Sequence, residues 1–454
     1  MAYTEQRAGP QKAVVEYPLP GARQTHEIVA IDDVLVISQQ DCSGLLKVPL
    51  DNMTGRPTAV KRFQMGNSKY SGFHGLFASK KHPGCVWGTL QLDSTILLID
   101  PHAKDVNRPP EKISEYHLPS QVWGPHVVIE DGFDVWTTCK GSGHLVKINT
   151  RLPQKDDRAF TVYECHGRPI FVAVHPTSKE VYASLDLESK ILRINPEKRV
   201  QSLIDIPPER GSSPVGLIAG DDGNVWFVLV GNKSGGTGTF GCISSTGNIT
   251  WIKLPVLNAN VGLIHLAFQP KINSGFIINN HEDNADMKNK EVIRLWLLGS
   301  TLASAQSLDA IFSVTLQGER VPRQDTIALP TQQSFTHRLR VVRQDTIALP
   351  TQQCFAHRLL PYRSGLFVTE LGVSMLAHAT GEGIRLGGDV NHILRQSYQI
   401  PSETSDAYAL WGLGRYSDSL RYDSQDAPER MLPLSGQDQD QDQEDKALPL
   451  PKKR

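Results

Sequence analysis

The sequence predicts an all-β protein with the architecture of a seven-bladed β-propeller. Three segments align with one another along their whole length, starting at Gly124, Arg168 and Ser213. Each contains an apolar β run, a turn, a strand that begins with an aromatic residue, a second turn and a strand that ends in isoleucine. Weaker copies of the pattern start near Thr25, Phe73, Ile264 and Ala356. Seven units at roughly 45-residue spacing, each with four short strands, are typical of propeller blades.

A short strand closed by Leu-Pro or Ile-Pro recurs between the copies and predicts the outermost strand of a blade. These segments begin at Glu16, Glu115, Ile204 and Trp251. Proline is tolerated there because an outer strand can lose one hydrogen bond of the ladder. The first of these segments precedes the first innermost strand. We therefore expect the N-terminal strand to complete the last blade and to close the ring, which removes two exposed strand edges.

The chain is expected to divide into an N-terminal arm, residues 1–13, a propeller, residues 14–416, and a polar tail, residues 417–454. The tail is repetitive and poor in apolar residues, so it is expected to be disordered. Within the propeller, the segment RQDTIALPTQQSFTHRL from Arg323 recurs with two differences from Arg343. Only the second copy runs directly into the last apolar segment. His357 is therefore expected in register, and residues 323–342, with His337, in an inserted loop; the reverse assignment is the alternative.

Charge and cysteine usage exclude several classes of function. Lys and Arg number 47 against 48 Asp and Glu, so the net charge is −1 and no basic footprint for nucleic acid or an anionic membrane exists. The six cysteines are scattered singly, without the paired spacing of a zinc or redox site. The sequence shows no secretion signal and no apolar run long enough to span a membrane. It therefore predicts a cytoplasmic protein with no obligate protein partner.

Histidine recurs at one position of the repeat, the residue just before the apolar run of the innermost strand. The residues in this column are His26, His74, His126, Ile170, Val215, His265 and His357. With 15 histidines in 454 residues, chance predicts fewer than one histidine in such a column. Innermost strands line the central channel of a propeller, so equivalent positions face a common space. We expect imidazoles on one side of this space and the aliphatic Ile170 and Val215 on the other, which suits a largely hydrocarbon ligand.

Clustered imidazoles titrate near neutrality and suit acid–base catalysis or metal ligation. A single channel histidine, in contrast, is more often a structural residue. The candidate catalytic residues are His26, His74, His126, His265, His357 and Glu370. Glu370, at the end of a second strand, is expected to orient an imidazole or to hold a cation.

Other side chains near the channel opening are candidates for weaker roles. Phe73 and Trp123 precede histidines or lie near them and are expected to form an apolar lid, while Ile170 and Val215 line the apolar side. Polar residues at comparable strand ends are mostly expected to be solvated: Gln91, Asp93, Lys140, Asp186, Asn279, His281 and Glu282. The tryptophans that begin second strands are expected in the core: Trp87, Trp136 and Trp226.

The repeats resemble the virginiamycin B lyase group of propellers, whose blades read roughly P-x-G-I, D-G-N-x-W-F-T-E and I-G-R-I. The likeness covers roughly residues 14 to 380 and is carried by SPVGLIAGDDGNVWF at Ser213, GPHVV and DVWTT from Gly124, and LFVTE, which ends in Glu370. The resemblance implies a channel histidine as general base and magnesium held by acidic residues in an elimination reaction. The acidic position of the motif is retained only as Glu370, so the sequence departs from the pattern that holds magnesium.

The chain is also similar, in overall character and in its half-apolar pocket, to fungal secondary-metabolism propellers. Among these are hetero-Diels–Alderases of tropolone sesquiterpenoid pathways. This resemblance implies dehydration of a benzylic alcohol to a quinone methide and cycloaddition to a humulene-type alkene, in which held geometry lowers the barrier.

The sequence therefore predicts a lyase or cyclase of secondary metabolism that acts on a small lipophilic natural product by acid–base elimination. No cofactor is expected, although a metal bound by the channel histidines stays open. Two alternatives remain at this stage. One is a histidine-ligated metalloenzyme of the oxygenase kind, and the other is a scaffold propeller that binds a protein partner without catalysis.

Overall fold

A computed structural model describes residues 14–19, 24–254, 260–268, 292–321, 336–363 and 365–380. These residues form seven four-stranded antiparallel sheets. Each innermost strand packs against the innermost strand of the next blade, and the last packs against the first. The prediction of a seven-bladed β-propeller is confirmed. No helix within these ranges is long and apolar enough to cross a membrane.

The strands are numbered in chain order, so the first, β1 (Val14–Pro18), belongs to the last blade. Blade 1 contains β2 (Thr25–Ile31), β3 (Val34–Gln39), β4 (Gly44–Pro49) and β5 (Lys61–Gln64). Blade 2 contains β6 (Phe73–Ala78), β7 (Val86–Leu90), β8 (Thr95–Asp100) and β9 (Glu111–His117). Blade 3 contains β10 (Pro125–Asp131), β11 (Asp134–Cys139), β12 (His144–Asn149) and β13 (Phe160–Glu164), with a 3₁₀ turn at Asp157–Ala159.

The remaining blades repeat this order from the innermost to the outermost strand. Blade 4 contains β14 (Pro169–Val174), β15 (Val181–Leu185), β16 (Lys190–Asn195) and β17 (Val200–Asp205). Blade 5 contains β18 (Pro214–Ala219), β19 (Val225–Leu229), β20 (Thr239–Ile243) and β21 (Ile249–Lys253). Blade 6 contains β22 (Leu263–Phe268), β23 (Val292–Gly299), β24 (Ala310–Val321) and β25 (Thr336–Ala348). Blade 7 contains β26 (Ala356–Tyr362), β27 (Gly365–Glu370) and β28 (Met375–Thr380), completed by β1.

The predicted closure of the ring by the N-terminal strand is confirmed. β1 pairs antiparallel with β28, from Val14 opposite Ala379 to Pro18 opposite Met375. The carboxylate of Glu16 on β1 accepts hydrogen bonds from the backbone N–H and the hydroxyl of Thr351, each at 2.7 Å. The first described strand is therefore bound to blade 7 by both its backbone and a side chain.

Every innermost strand has an irregular register close to its first residue, at the channel opening. In blade 1, Thr25 pairs with Gln39 and Ile28 with Ile37, so two residues of β2 stand opposite Ser38. Such a bulge leaves one backbone N–H outside the ladder, and here a side chain accepts from it. The N–H of Glu27 donates to the Ser38 hydroxyl at 3.0 Å.

The hydroxyl at this position of the second strand also joins neighbouring blades. The hydroxyls of Thr138 and Thr369 donate to the backbone carbonyls of Ile170 and His26 in the next blade, at 2.9 and 2.7 Å. The Ser38 hydroxyl donates to the His74 carbonyl in the same way. Serine or threonine at this position of the second strand therefore satisfies both the bulge and the blade-to-blade contact, which fixes the geometry of the channel opening.

The three tryptophans that begin second strands lie in the core, as predicted. Trp87, Trp136 and Trp226 are at most 2% exposed. The indole N–H of Trp87 donates to Glu130 at 2.8 Å, and that of Trp226 donates to Asp222. Burial of a large apolar ring with its one donor satisfied is the usual role of tryptophan in a core.

The tandem copy is only partly described. Residues 336–342, which were expected in an inserted loop, lie in β25 and pair with β24, which extends both outer strands of blade 6. Of the second copy, His357 lies in β26 in the register of the column, as predicted. Residues 323–335, the N-terminal arm 1–13 and the tail 417–454 lie outside the described residues.

Candidate functional site

Four of the five predicted histidines form a continuous row of neighbouring rings along one wall of the channel. The ring centroids of His357 and His26 are 4.6 Å apart, those of His26 and His74 are 4.1 Å apart, and those of His74 and His126 are 4.1 Å apart. All four side chains are buried. We call His357, His26, His74 and His126 the imidazole wall. The sequence therefore placed these four residues correctly.

The fifth histidine was assigned to the column with an error of one residue. In blade 6, Leu263 pairs with Gly299 and Leu266 with Leu297, so Ile264 occupies the position that His26 has in blade 1. His265 follows it and corresponds to Glu27. The bulge has the same length in both blades, but the sequence pattern alone did not fix its phase. The column therefore contains four histidines and three aliphatic residues, Ile170, Val215 and Ile264.

Residues one position after the column form a second layer that the sequence analysis missed. The Nε of Arg358 donates to Oε2 of Glu27 at 2.8 Å, and both side chains are largely withdrawn from solvent. The guanidinium of Arg358 lies 5.1 Å from the centroid of the Phe171 ring. That ring is 6.2 Å from His126 and 6.3 Å from His265. Phe171 therefore reaches from blade 4 towards blades 3, 6 and 7 and occupies the channel beside the imidazole wall.

Hydrogen bonds fix the protonation of two wall imidazoles. Nδ1 of His74 lies 3.1 Å from the His126 carbonyl, and Nδ1 of His126 lies 3.0 Å from the Ile170 carbonyl. A carbonyl oxygen only accepts, so Nδ1 carries the proton in both rings. Burial, followed by nearby positive charge, lowers the pKa of both rings well below the usual histidine value. Both are neutral near pH 7, and their Nε2 atoms are proton acceptors.

His265 has the opposite tautomer. Its Nδ1 accepts a hydrogen bond from the backbone N–H of Leu359 at 3.4 Å. Burial and the charge of Arg358 lower its pKa well below the usual value, so the neutral ring carries its proton on Nε2. His74 and His126 therefore present Nε2 atoms as acceptors, whereas the second layer presents donors from His265 and Arg358.

A lysine stands beside the imidazole wall. Lys140 follows β11 at the channel opening, and its backbone N–H donates to the Gly124 carbonyl at 3.0 Å. Its charge lowers the pKa of all four wall histidines. Burial lowers the pKa of Lys140 itself to about 8. Lys140 was expected to be a solvated strand-end residue, and the structure instead makes it part of the candidate site.

Two neighbouring polar pairs complete the opening. The guanidinium of Arg168 donates to both carboxylate oxygens of Asp186, at 2.9 and 2.5 Å, and both side chains are buried. The amide of Gln40 donates to the Gln91 side chain. Asp186 and Gln91 are therefore paired within the fold, contrary to the expectation that they are solvated. Asn279, His281 and Glu282 lie outside the described residues.

Two other candidates lie elsewhere than expected. Phe73 is fully buried in the core between blades 1 and 2, with residues such as Leu45 and Leu97, so it does not form a lid. Trp123, in contrast, is 39% exposed at the opening, and its ring packs over Gly141. Phe73 therefore does not form the predicted lid, and the lid role of Trp123 stays a prediction. Ile170 and Val215 are buried in the core cluster, and Ile170 is the neighbour of His126 around the ring.

Glu370 faces the junction at which β1 completes blade 7. Its side chain is fully buried, and its electrostatic neighbours are Glu16, Asp309 and Cys354. Burial and Glu16 raise the pKa of Glu370 to about 9, so its carboxyl is protonated at pH 7. Asp309 accepts four hydrogen bonds, from the backbone N–H groups of Thr301, Cys354 and Ala356 and from the Thr301 hydroxyl. These contacts give Glu370 a structural environment between blades 6 and 7.

Replacing Glu370 with glutamine is therefore expected to preserve stability near pH 7, within about 1 kcal/mol. The folded state holds this proton up to about pH 9, whereas the unfolded chain releases it near the usual value. Wild-type stability should thus fall as the pH rises from 7 to 9 through this group, and the variant should lack that loss. Thermal unfolding at both pH values measures the difference, with the exposed Glu197→Gln as control. A variant that unfolds readily at pH 7 would show that the carboxylate is ionised there.

The described residues contain no group of three or more His, Cys, Asp or Glu side chains arranged to hold a metal ion. The geometry explains why the imidazole wall does not form such a group. Nδ1 of His74 and of His126 points to a backbone carbonyl of the next blade, and neighbouring rings meet in tilted or edge-on pairs. The acidic residue retained from the lyase motif, Glu370, contacts Glu16. The donor set that magnesium requires is therefore not assembled by these residues.

Comparison with known proteins identifies the fold. No protein-family model and no curated protein matches the chain. A catalytically inactive variant of virginiamycin B lyase from Staphylococcus aureus, solved with quinupristin, superposes with a TM-score of 0.55 at 17% identity. The match covers 81% of this chain and 98% of that one. A streptogramin B lyase structure gives 0.53 at 16% identity, over 80% and 96% of the two chains.

The fold by itself does not define the activity. A chain of the mitotic checkpoint complex also superposes with a TM-score of 0.53, at 8% identity, over 84% of this chain and 95% of its own. The same architecture therefore occurs in proteins of unrelated function. The comparisons support the likeness to virginiamycin B lyase at the level of the fold, and they give no support to the resemblance to hetero-Diels–Alderases.

Proposed function

We propose that this propeller is a lyase, which removes a proton from a small, largely apolar ligand bound at the channel opening. His126 is the proposed general base. The observation that carries the proposal is the hydrogen bond from its Nδ1 to the Ile170 carbonyl, because this bond leaves Nε2 unprotonated. A general base must be unprotonated at the operating pH, and the lowered pKa of His126 meets that requirement.

The surroundings of His126 support the same chemistry. Lys140 is the charged group with the largest effect on the pKa of His126, so an ammonium lies close enough to stabilise negative charge that develops on a ligand. On the other side, Phe171, Ile170 and Val215 supply apolar surface. A ligand with a hydrocarbon body and one acidic C–H next to an oxygen function fits this division. The distant likeness to lyases favours elimination over other acid–base reactions.

The proposal is tested by turnover of a panel of β-hydroxy ketones, benzylic alcohols and cyclic depsipeptides, quinupristin among them. Mass spectrometry detects loss of water or opening of the ring. We expect His126→Gln to lower kcat by about 10²–10⁴-fold, the usual contribution of a general base. His117→Gln, at an exposed histidine of β9, should leave kcat unchanged. Equal turnover by wild type and His126→Gln would exclude His126 as the base.

The panel also addresses the finer prediction of dehydration followed by cyclisation or cycloaddition in secondary metabolism. Benzylic alcohols that lose water only in the presence of protein, and then couple to a supplied alkene, would extend the proposed lyase to a cyclase. Loss of water without coupling would limit the activity to elimination.

A further inference from the structure

The backbone around Lys140 is held in one geometry. Ser142 accepts a hydrogen bond from the Trp123 N–H at 3.1 Å through its hydroxyl, and its own N–H donates to the Trp123 carbonyl at 3.2 Å. Gly141 lies directly beneath the indole, where a Cβ atom would stand 2.2 Å from the ring. Any larger residue would displace Trp123. The turn therefore fixes the backbone from which the Lys140 side chain projects at the channel opening.

The amine of Lys140 has no counter-ion of its own. The carboxylate that most affects it is that of Asp186, and both oxygens of that carboxylate accept hydrogen bonds from Arg168. Among the described residues, Lys140 has no ion-pair or hydrogen-bond partner for its side chain. An ammonium that is partly buried and unpaired loses hydration without compensation. Burial therefore lowers the pKa of Lys140 to about 8, so about one tenth of the amine is unprotonated at pH 7.

Proton acceptors lie within electrostatic reach of this amine, whose charge lowers the pKa of His74 and His126. Nε2 of His74 and Nε2 of His126 are both unprotonated, as their Nδ1 hydrogen bonds require. Acceptors of this kind oppose the binding of an anion, since two lone pairs would face its negative charge. They do suit a nucleophilic amine, which has to give up protons as it forms a new bond.

We propose that Lys140 forms a Schiff base with an aldehyde or ketone ligand. Nζ attacks the carbonyl carbon, a C–N bond forms, and the carbonyl oxygen becomes the hydroxyl of a carbinolamine after proton transfer from nitrogen. The hydroxyl then leaves as water with one added proton, and the C=N bond of the iminium forms. No oxidant or reductant is consumed.

This inference deepens the proposed function and rests on it for its second step. An iminium withdraws electrons from the neighbouring carbon, so the proton on that carbon becomes easier to remove. Nε2 of His126 is the acceptor placed to take it. The substrate class is thereby narrowed to carbonyl compounds with an α-hydrogen, attached to an apolar body that contacts Trp123 and the aliphatic side of the channel.

The formation of the Schiff base can be measured without knowing the natural ligand. The full-length protein is incubated with propanal and sodium cyanoborohydride at pH 7, and peptide mapping locates N-propyl-lysine. An amine of pKa about 8 has about 300 times more free base at pH 7 than an ordinary lysine, so we expect Lys140 to react at least about tenfold faster than Lys147. Lys147 is the matched control, since it lies in the same blade and is paired with Asp134.

Variants separate the inference from the proposed function. Lys140→Met should abolish the fast modification, whereas Lys147→Met should preserve it. His126→Gln should retain the modification of Lys140 but lose the protein-catalysed exchange of propanal α-hydrogens in D₂O, followed by NMR. Modification of Lys140 with exchange that is independent of His126 would uphold the Schiff base and overturn the proposed base. Slow modification of Lys140, at the rate of exposed lysines, would overturn the inference itself, as would tight binding of a carboxylate probe such as propanoate without any trapping.

Discussion

Lowering the pH from 7 to 5 is expected to unfold the protein over a narrow interval. The four histidines of the imidazole wall and His265 are buried, and burial lowers the pKa of each. The unfolded chain binds protons at these histidines below about pH 6.5, whereas the folded chain does not. Stability is therefore complete above that pH and is lost as the pH falls below it. Each proton contributes about 1.4 kcal/mol per pH unit.

Buried carboxyls reduce the change in stability per pH unit. Burial raises the pKa of Glu27, Asp309 and Glu370, so any of these carboxyls that keeps its proton in the folded state above the pKa of the unfolded chain offsets part of the proton uptake by the histidines. The net difference lies between two and five protons, which corresponds to about 3–7 kcal/mol per pH unit. That range is comparable with the whole stability of a typical domain. Urea unfolding at pH 7, 6 and 5, followed by tryptophan fluorescence, measures it.

Two variants make this measurement specific. His265→Gln removes one buried imidazole and should reduce the dependence by about one proton, or about 1.4 kcal/mol per pH unit. His117→Gln, at an exposed site, should leave the dependence as in the wild type. If the urea midpoint were the same at pH 7 and pH 5, the channel imidazoles would have to be charged or solvated in the folded state.

The repeat allowed the fold and most of the wall to be predicted. Strand spacing, the Leu-Pro and Ile-Pro segments and the column of histidines are all local patterns, and each recurs several times in one chain. Recurrence reduces the error of each single alignment. The closure by β1 was predictable for the same reason, because EYPLP at Glu16 repeats the form of the other outer strands.

The second layer was not predictable from these patterns. In a regular strand, the residue after a channel-facing one points away from the channel. The bulge changes this, and it brings Glu27, Phe171 and Arg358 to the channel together with the column. A one-residue difference in the phase of the bulge also explains His265. Its neighbour Ile264 is as apolar as the column residues Ile170 and Val215. The sequence therefore offered no signal to show whether Ile264 or His265 occupies the column.

Glu370 shows a different limit of the sequence. It ends the second strand of its blade, which is the acidic position of the lyase motif, so the motif was aligned correctly with this blade. Its environment, however, depends on Glu16, which is far away in the chain and reaches blade 7 only through the ring closure. Burial beside a second carboxyl raises the pKa of Glu370, so the local motif no longer indicates a charged ligand.

Replacing Arg358 with methionine is expected to destabilise the fold by about 3–5 kcal/mol. The Glu27 side chain is only 1% exposed, and Arg358 is its ion-pair partner, at 2.8 Å. Removing the guanidinium leaves either a buried carboxylate without a partner or a carboxyl that must be protonated at a cost. It also removes the cation from the Phe171 ring, which keeps only the two histidine rings as neighbours within the channel. Denaturant unfolding at pH 7 measures the loss.

The double variant Glu27→Gln, Arg358→Met distinguishes the buried charge from lost packing. If the unpaired carboxylate causes the instability, the neutral pair should recover most of the 3–5 kcal/mol, since well-packed neutral residues often match a buried ion pair in stability. Glu27→Gln alone should cost less than Arg358→Met, because Arg358 is 17% exposed and keeps the Phe171 ring as a neighbour. A double variant as unstable as Arg358→Met would instead show that the guanidinium acts mainly by packing against Phe171. The second layer would then be held together by contact with the ring and not by the ion pair.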